Sequence, residues 1–178
     1  MIITISGKAG SGKSTVAKII ASKLNLVHYS IGDLMREMTK ERGVSLIELN
    51  NLAEKDGTID KELDDKLIKL GKEKKEFVID GRLTAFFIPH ADLKVFLDAD
   101  ERVRAQRIFK DRRDQEKNTS MEEAVTNLKK REVSEKKRYM KYYGVDYFDC
   151  SLYDYTIDTT SLSPEEVALK IIKIVKKN

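Results

Sequence analysis

Gly7-Lys8-Ala9-Gly10-Ser11-Gly12-Lys13-Ser14 gathers glycines, lysines and hydroxyls into one short run. Glycines let consecutive backbone N–H groups turn toward one point, and such a cradle accepts an anion. The spacing fits G-x-x-x-x-G-K-[ST]. In that pattern the lysine reaches the β- and γ-phosphates of a nucleoside triphosphate and the hydroxyl holds Mg²⁺. Lys13 is therefore the candidate for the terminal phosphates and Ser14 for the metal. Gly7, Lys8, Ala9, Gly10, Ser11 and Gly12 form the cradle. Thr15 either joins these contacts or is a plain hydroxyl at a helix N-terminus.

Further along, Phe77-Val78-Ile79-Asp80 is an apolar run ending in a carboxylate, followed by Gly81-Arg82. After a phosphate loop this is the Walker B form. Asp80 would orient water on Mg²⁺ or hold an arginine, and Arg82 offers a planar fork suited to phosphate. Ser30 and Arg36 flank the end of an earlier apolar segment. Ser30 is a helix cap, a ligand contact, or both; Arg36 is a ligand contact or a solvated helix residue. Arg131 and Arg138 stand two helical turns apart and share a face, with Glu135 between them at pairing distance from both. They make either a surface salt-bridge row or an arginine ladder toward a transferring phosphoryl group. Tyr139, Tyr142, Tyr143 and Tyr147 read as packing, with base stacking as the alternative.

The elements that must position these groups alternate. Apolar, β-branched runs at 2–6, 26–29, 76–80, 93–97 and 155–158 are expected strands. Helical periodicity covers 13–24, 31–42, 46–55, 61–74, 101–111, 121–144 and 164–176, the last opened by Ser163 and Pro164. This alternation predicts an α/β three-layer sandwich with a five-stranded parallel sheet. A simple crossover needs about a dozen residues, so 31–75 is an inserted helical subdomain in a single domain spanning 1–178. The charged segment within 108–120 reads as a short lid, which would exclude water from a phosphate-transfer site, or as a solvated loop.

Composition limits the rest. The chain has 178 residues, 36% charged, with net charge +4. That charge is too small to argue for nucleic acid by itself. A single cysteine, Cys150, excludes an internal disulfide and fits a reducing cytoplasm. No apolar run is long enough to span a membrane. His28 and His90 are too few, and too far from Cys150, to suggest a metal cluster.

Taken together, these motifs resemble those of nucleoside monophosphate kinases, most closely the archaeal type of cytidylate kinase. The resemblance runs through Gly7–Thr15, Ser30-x-Gly32-Asp33-x-x-Arg36, Asp80-Gly81-Arg82 and Arg104-Ala105-Gln106-Arg107-Ile108. It continues through Arg131-Glu132-x-Ser134-Glu135-x-x-Arg138-Tyr139, Asp158-Thr159-Thr160 and Ser163-Pro164-Glu165-Glu166-Val167. It implies the P-loop NTPase fold, ATP and Mg²⁺, and CMP or dCMP as small-molecule acceptor. It also implies a cytoplasmic monomer with no nucleic-acid or membrane partner. By the same resemblance Ser30, Arg36 and Arg82 hold the acceptor phosphate, and Arg107 packs on adenine. Arg112 or Arg113 in the lid touches the ATP phosphates, and Arg131 and Arg138 bridge donor and acceptor with Glu135 orienting them. The chain lacks the larger base-reading insert of bacterial cytidylate kinases. Asp60 or Asp64 is therefore the candidate to accept from the cytosine amino group, against a reading as exposed acidic residues. Rival readings are an AMP, UMP or non-nucleotide kinase, and a nucleotide-dependent RNA-binding module.

Overall fold

The computed structural model describes residues 1–111 and 118–177. Five strands form one all-parallel sheet in the order β2-β3-β1-β4-β5: β1 Ile2–Gly7, β2 Val27–Ser30, β3 Phe77–Asp80, β4 Leu93–Asp98 and β5 Tyr155–Asp158. Parallel strands need both faces covered, and the burial of β1 and β3 at every position meets that need. On one face Ile3, Ile5, Val78, Val95 and Leu97 pack against α1 (Lys13–Leu24) and α8 (Pro164–Val175). On the other, Phe77 and Ile79 meet Leu67 of α4 (Thr58–Glu73) and Ile88, and Phe96 meets Tyr139 and Tyr147.

The helices α2 (Ile31–Arg42), α3 (Leu46–Lys55) and α4 lie between β2 and β3 in the chain. They bury an apolar cluster of their own around Met35, Met38, Leu49, Ala53, Ile59 and Leu63. Their starts are encoded locally. Ser30 accepts from the Asp33 N–H to cap α2, and Ser45 with Glu48 closes a reciprocal box on α3. The long α7 (Met121–Tyr143) follows α6 (Glu101–Lys110) and ends at Gly144, whose φ of 66° a glycine adopts without strain.

The expected three-layer fold and all five strands are present. Most of the boundaries that differ shift by a single residue, one start shifts further, and one short helix is new. β2 runs one residue later than expected. α4 starts at Thr58 rather than 61, because Asp56 takes the Thr58 N–H and turns the chain early. α5 (Thr84–Phe87) was not anticipated, since one turn is too short to show a helical period.

Candidate active site

β1 ends at Gly7 and the chain loops into α1. Two glycines there have no substitute. A Cβ on Gly7 would sit 2.1 Å from the Leu97 carbonyl oxygen, and one on Gly10 2.5 Å from that of Arg104. Both also take positive φ. Gly12 stands at the N-cap of α1 without a side chain to cap it. The N–H groups of the first turn are thus left for an external acceptor, at the positive end of the helix.

The loop floors a cleft of about 470 Å³. Ala9 through Thr15 line it, together with Arg36, Arg82, Arg107 and Arg131. Ile108, Leu162, Pro164 and Val167 add apolar wall to it, with Lys110 and Asp111 also in the lining. The cleft therefore offers both anion contacts and an apolar surface for a flat base. Lys13 donates to the Lys8 carbonyl at 2.6 Å. Burial, and then the nearby Arg82 charge, push its ammonium well below its ordinary pKa. An arriving phosphate would reverse that shift.

Asp80, 2% exposed, lies behind the loop. Its Oδ2 accepts from Ser14 Oγ at 2.7 Å and from Ser30 Oγ at 3.2 Å. The expectation that it might hold an arginine is not met. Its partners are the two serines and His28, because the register of β2 on β3 sets Ser30 beside it.

Glu135, 1% exposed, organises the arginines. It accepts from Arg82 Nε at 2.8 Å and Nη2 at 3.3 Å, from Arg131 Nε at 2.9 Å and from the Tyr147 hydroxyl at 3.2 Å. Burial alone would raise its pKa, but Arg82 and Arg131 overcome that and hold it far below the ordinary carboxylate range. Arg138 departs from its expected place. It does not line the cleft. Its guanidinium, 1% exposed, gives Nη1 to the Asn50 carbonyl at 3.1 Å and to Asn50 Oδ1 at 3.0 Å, while Nε ion-pairs with Asp60 at 3.0 Å. The helix turn that aims Arg131 at the cleft carries Arg138 against α3. The reading of Asp60 as an exposed acid fails for the same reason: it is 4% exposed and paired.

A second hollow, of about 40 Å³, opens beside the first, and Arg82 and Arg131 line both. Its other walls include Gly32, Met35, Asp60, Asp64 and Tyr139. Asp64 accepts from the Tyr143 hydroxyl. Burial pushes its carboxyl up to about 6, with Asp60 and Asp65 adding to the rise and the Tyr143 bond opposing it. The folded state thus holds the Asp64 proton more tightly than the unfolded chain, whose Asp titrates near about 3.9. The associated stability is full below about pH 4 and is lost as pH rises toward about 6. Thermal midpoints of the ligand-free protein and Asp64→Asn between pH 4 and 8 are expected to diverge in the variant's favour up to pH 6. Above that they should run parallel; parallel curves throughout would remove Asp64 as the titrating group.

The remaining expected residues fall as follows. Arg36 reaches the cleft and pairs with Asp33. Gly7 and Lys8 shape the loop from outside, Lys8 through an ion pair with Asp98 at 2.7 Å. Arg112 and Arg113 lie outside the described residues. The tyrosines 139, 143 and 147 pack around Phe96, as the packing reading held. Two supporting residues carried no assigned role in the sequence. Thr159 donates to the Ser11 and Asp98 carbonyls and accepts from Arg107, whose Nη2 also reaches the Thr159 carbonyl at 2.7 Å. Arg104, 3% exposed, ties Ala9 of the loop to Ala99 and to Glu132 of α7. Both fall in segments that carry the family resemblance, which marked the segments without giving either residue a role.

A phosphate loop on the first strand of a parallel sheet, facing a second hollow across shared arginines, is the arrangement of a P-loop kinase. The fold agrees with solved kinases: a shikimate kinase from Bacteroides thetaiotaomicron superposes with a TM-score of 0.68 at 15% identity, covering 99% of this chain and 98% of that one. Sequence narrows the class. The model of the cytidylate kinase-like family matches residues 2–161, and the chain belongs to that family. It is 43% identical to the cytidylate kinase of Pyrococcus horikoshii over 94% of this chain and 84% of the relative. It is 38% identical to that of Methanobrevibacter smithii over 99% of each.

Proposed function

We propose that the chain transfers the γ-phosphoryl group of ATP to CMP, giving ADP and CDP, with dCMP as a second acceptor. The observation that carries this reading is the pair of hollows with a common arginine wall. The larger suits a nucleoside triphosphate, with phosphates on the loop and adenine between Arg107 and the apolar wall. The smaller marks the acceptor side. At about 40 Å³ it is too small for a nucleotide as it stands and would have to widen by movement of α2–α4. The phosphate would then lie toward Arg82 and Arg131, with Arg36 at the adjoining cleft, and the base toward Asp60 and Asp64. In this reading α2–α4 are the acceptor-binding part and 108–120 the lid, and the enzyme acts as a cytoplasmic monomer on small molecules.

The donor set fits Mg²⁺, which keeps several waters and takes one or two protein oxygens beside substrate phosphates. Ser14 commits its proton to Asp80, leaving hydroxyl lone pairs for a hard cation. Among the described residues no cluster of three or more His, Cys, Asp or Glu competes for a metal. When bound, Mg²⁺ would supply positive charge to offset the negative charge of the triphosphate. Ser14 would ligate it, with Asp80 holding Ser14.

The acceptor oxygen of CMP is already anionic, so no general base is required. A loose transition state spreads charge over the transferring oxygens. Lys13 meets that charge from the donor side and Arg82 and Arg131 from the other, all in place before reaction. ADP release with ATP across a panel of nucleoside monophosphates tests the assignment: CMP is expected to stimulate it most, and failure of every pyrimidine monophosphate would sink it. Arg36→Ala is expected to raise the KM for CMP about ten- to a hundredfold, from a charge-assisted contact of about 1.5–3 kcal/mol, with less effect on ATP. Equal weakening of both substrates would end the acceptor role of Arg36.

A further inference from the structure

His28 has no part in the reaction as described so far, yet its position is hard to explain by packing. β2 is an edge strand whose residues alternate faces. Tyr29 turns to one side and meets Phe77 edge-on. His28 turns to the side of α1, where the buried cluster is made of aliphatic residues such as Val16, Ile20 and Val78. An aliphatic side chain would serve that face. Instead an imidazole, 15% exposed, sets Nε2 2.7 Å from Oδ1 of Asp80. The register explains the reach: Ser30 lies opposite Asp80 and His28 opposite Val78, so the ring extends along its own strand to the carboxylate.

The two oxygens of Asp80 thus have separate partners. Oδ1 faces His28, and Oδ2 accepts from Ser14 and Ser30. A carboxylate only accepts, so Nε2 carries the proton and donates. Fixing one oxygen fixes the plane of the group, and with it where Oδ2 stands for Ser14. The Ser14 lone pairs are free for a cation only while its proton is committed to that oxygen.

We propose that His28 is a positioning residue for the metal–triphosphate half of the site. By holding Asp80 it orients the Ser14 hydroxyl, and so sets the extra affinity that Mg²⁺ gives to a bound triphosphate. It touches neither nucleotide nor metal. The inference rests on Ser14 as metal ligand, as read above.

Calorimetric titration of the full chain with a non-hydrolysable ATP analogue, once in Mg²⁺ and once in EDTA, separates the two claims. His28→Phe is expected to cut the Mg²⁺-dependent gain in affinity by up to about tenfold, the lower end for loss of a direct outer partner of a metal ligand, because His28 acts on Ser14 through Asp80. Its affinity in EDTA should be unchanged. His28→Gln, whose amide Nε2 can donate from nearly the same place, is expected to keep the gain. His28→Asn, too short to reach, should lose it, and serves if the phenylalanine variant does not fold. Ser14→Ala is the reference for the site itself. If Ser14→Ala loses the gain while His28→Phe and His28→Asn keep it, the role of His28 is overturned and the site reading stands. Equal loss in His28→Gln would also overturn it, because shape and not the hydrogen bond would be responsible. If Ser14→Ala keeps the gain, the metal reading fails first and the inference with it.

Discussion

Lys13→Ala is expected to lower kcat by at least about 10²–10³-fold, the loss that follows removal of one preorganised donor from a developing charge, while the protein stays folded. The ammonium sits at 8% exposure with one bond, to the Lys8 carbonyl. Burial and the charge of Arg82 oppose its protonation in the ligand-free protein. It is therefore held at some cost to the fold, and alanine suits the first turn of a helix. The thermal midpoint should stay level or rise as turnover collapses. A variant with native midpoint and wild-type kcat would take the phosphate loop out of catalysis.

Glu135→Gln should damage both stability and binding. Removing one partner of a buried ion pair costs about 3–5 kcal/mol. Here the arginines left behind are Arg82 and Arg131, with side chains only 12% and 16% exposed. Both line the two hollows, so their drift should raise the KM for CMP as well as lower the urea midpoint. The pH dependence has a definite sign. A carboxylate held far below its ordinary range contributes fully above the unfolded value, about 4.3, and its contribution fades as pH falls toward the folded value. The stability gap between wild type and variant should therefore be constant near neutrality and narrow in acid. A gap under about 1 kcal/mol at pH 7, the scale of an exposed pair, with an unchanged KM, would show that Glu135 does not organise the arginines.

Much of this site could be read from the chain because its chemistry is local. The phosphate loop needs only consecutive residues, and strand, loop and helix follow in sequence from 2 to 24. Ser30 as cap and Asp80 as strand-end carboxylate are likewise decisions of a few neighbouring residues. What escaped depends on what lies across from a helix face. Helical spacing made Arg131 and Arg138 equal partners of Glu135. The fold kept Arg131 on Glu135, put Arg82 from 53 positions earlier in the place expected for Arg138, and turned Arg138 to Asn50, 88 positions away. The burial of Asp60 comes from the same packing, since an acid on an isolated helix has no reason to leave water. His28 and Asp80, 52 positions apart, meet only through the register of two parallel strands, and β3, buried at every position, has no alternation from which that register could be read.

The buried bond between Arg138 and α3 has a mechanical consequence. Asn50 accepts with both its carbonyl and its side-chain oxygen from one guanidinium, so the middle of α3 is riveted to the last two turns of α7. Glu135 sits less than one turn from that rivet and sets the aim of Arg82 and Arg131. In the proposed function, a displacement of α2–α4 on binding an acceptor would therefore be passed to the helix that aims Arg82 and Arg131. Arrival of the acceptor and alignment of the charges would then be one movement, and ATP bound alone would be poorly placed to lose its phosphate to water.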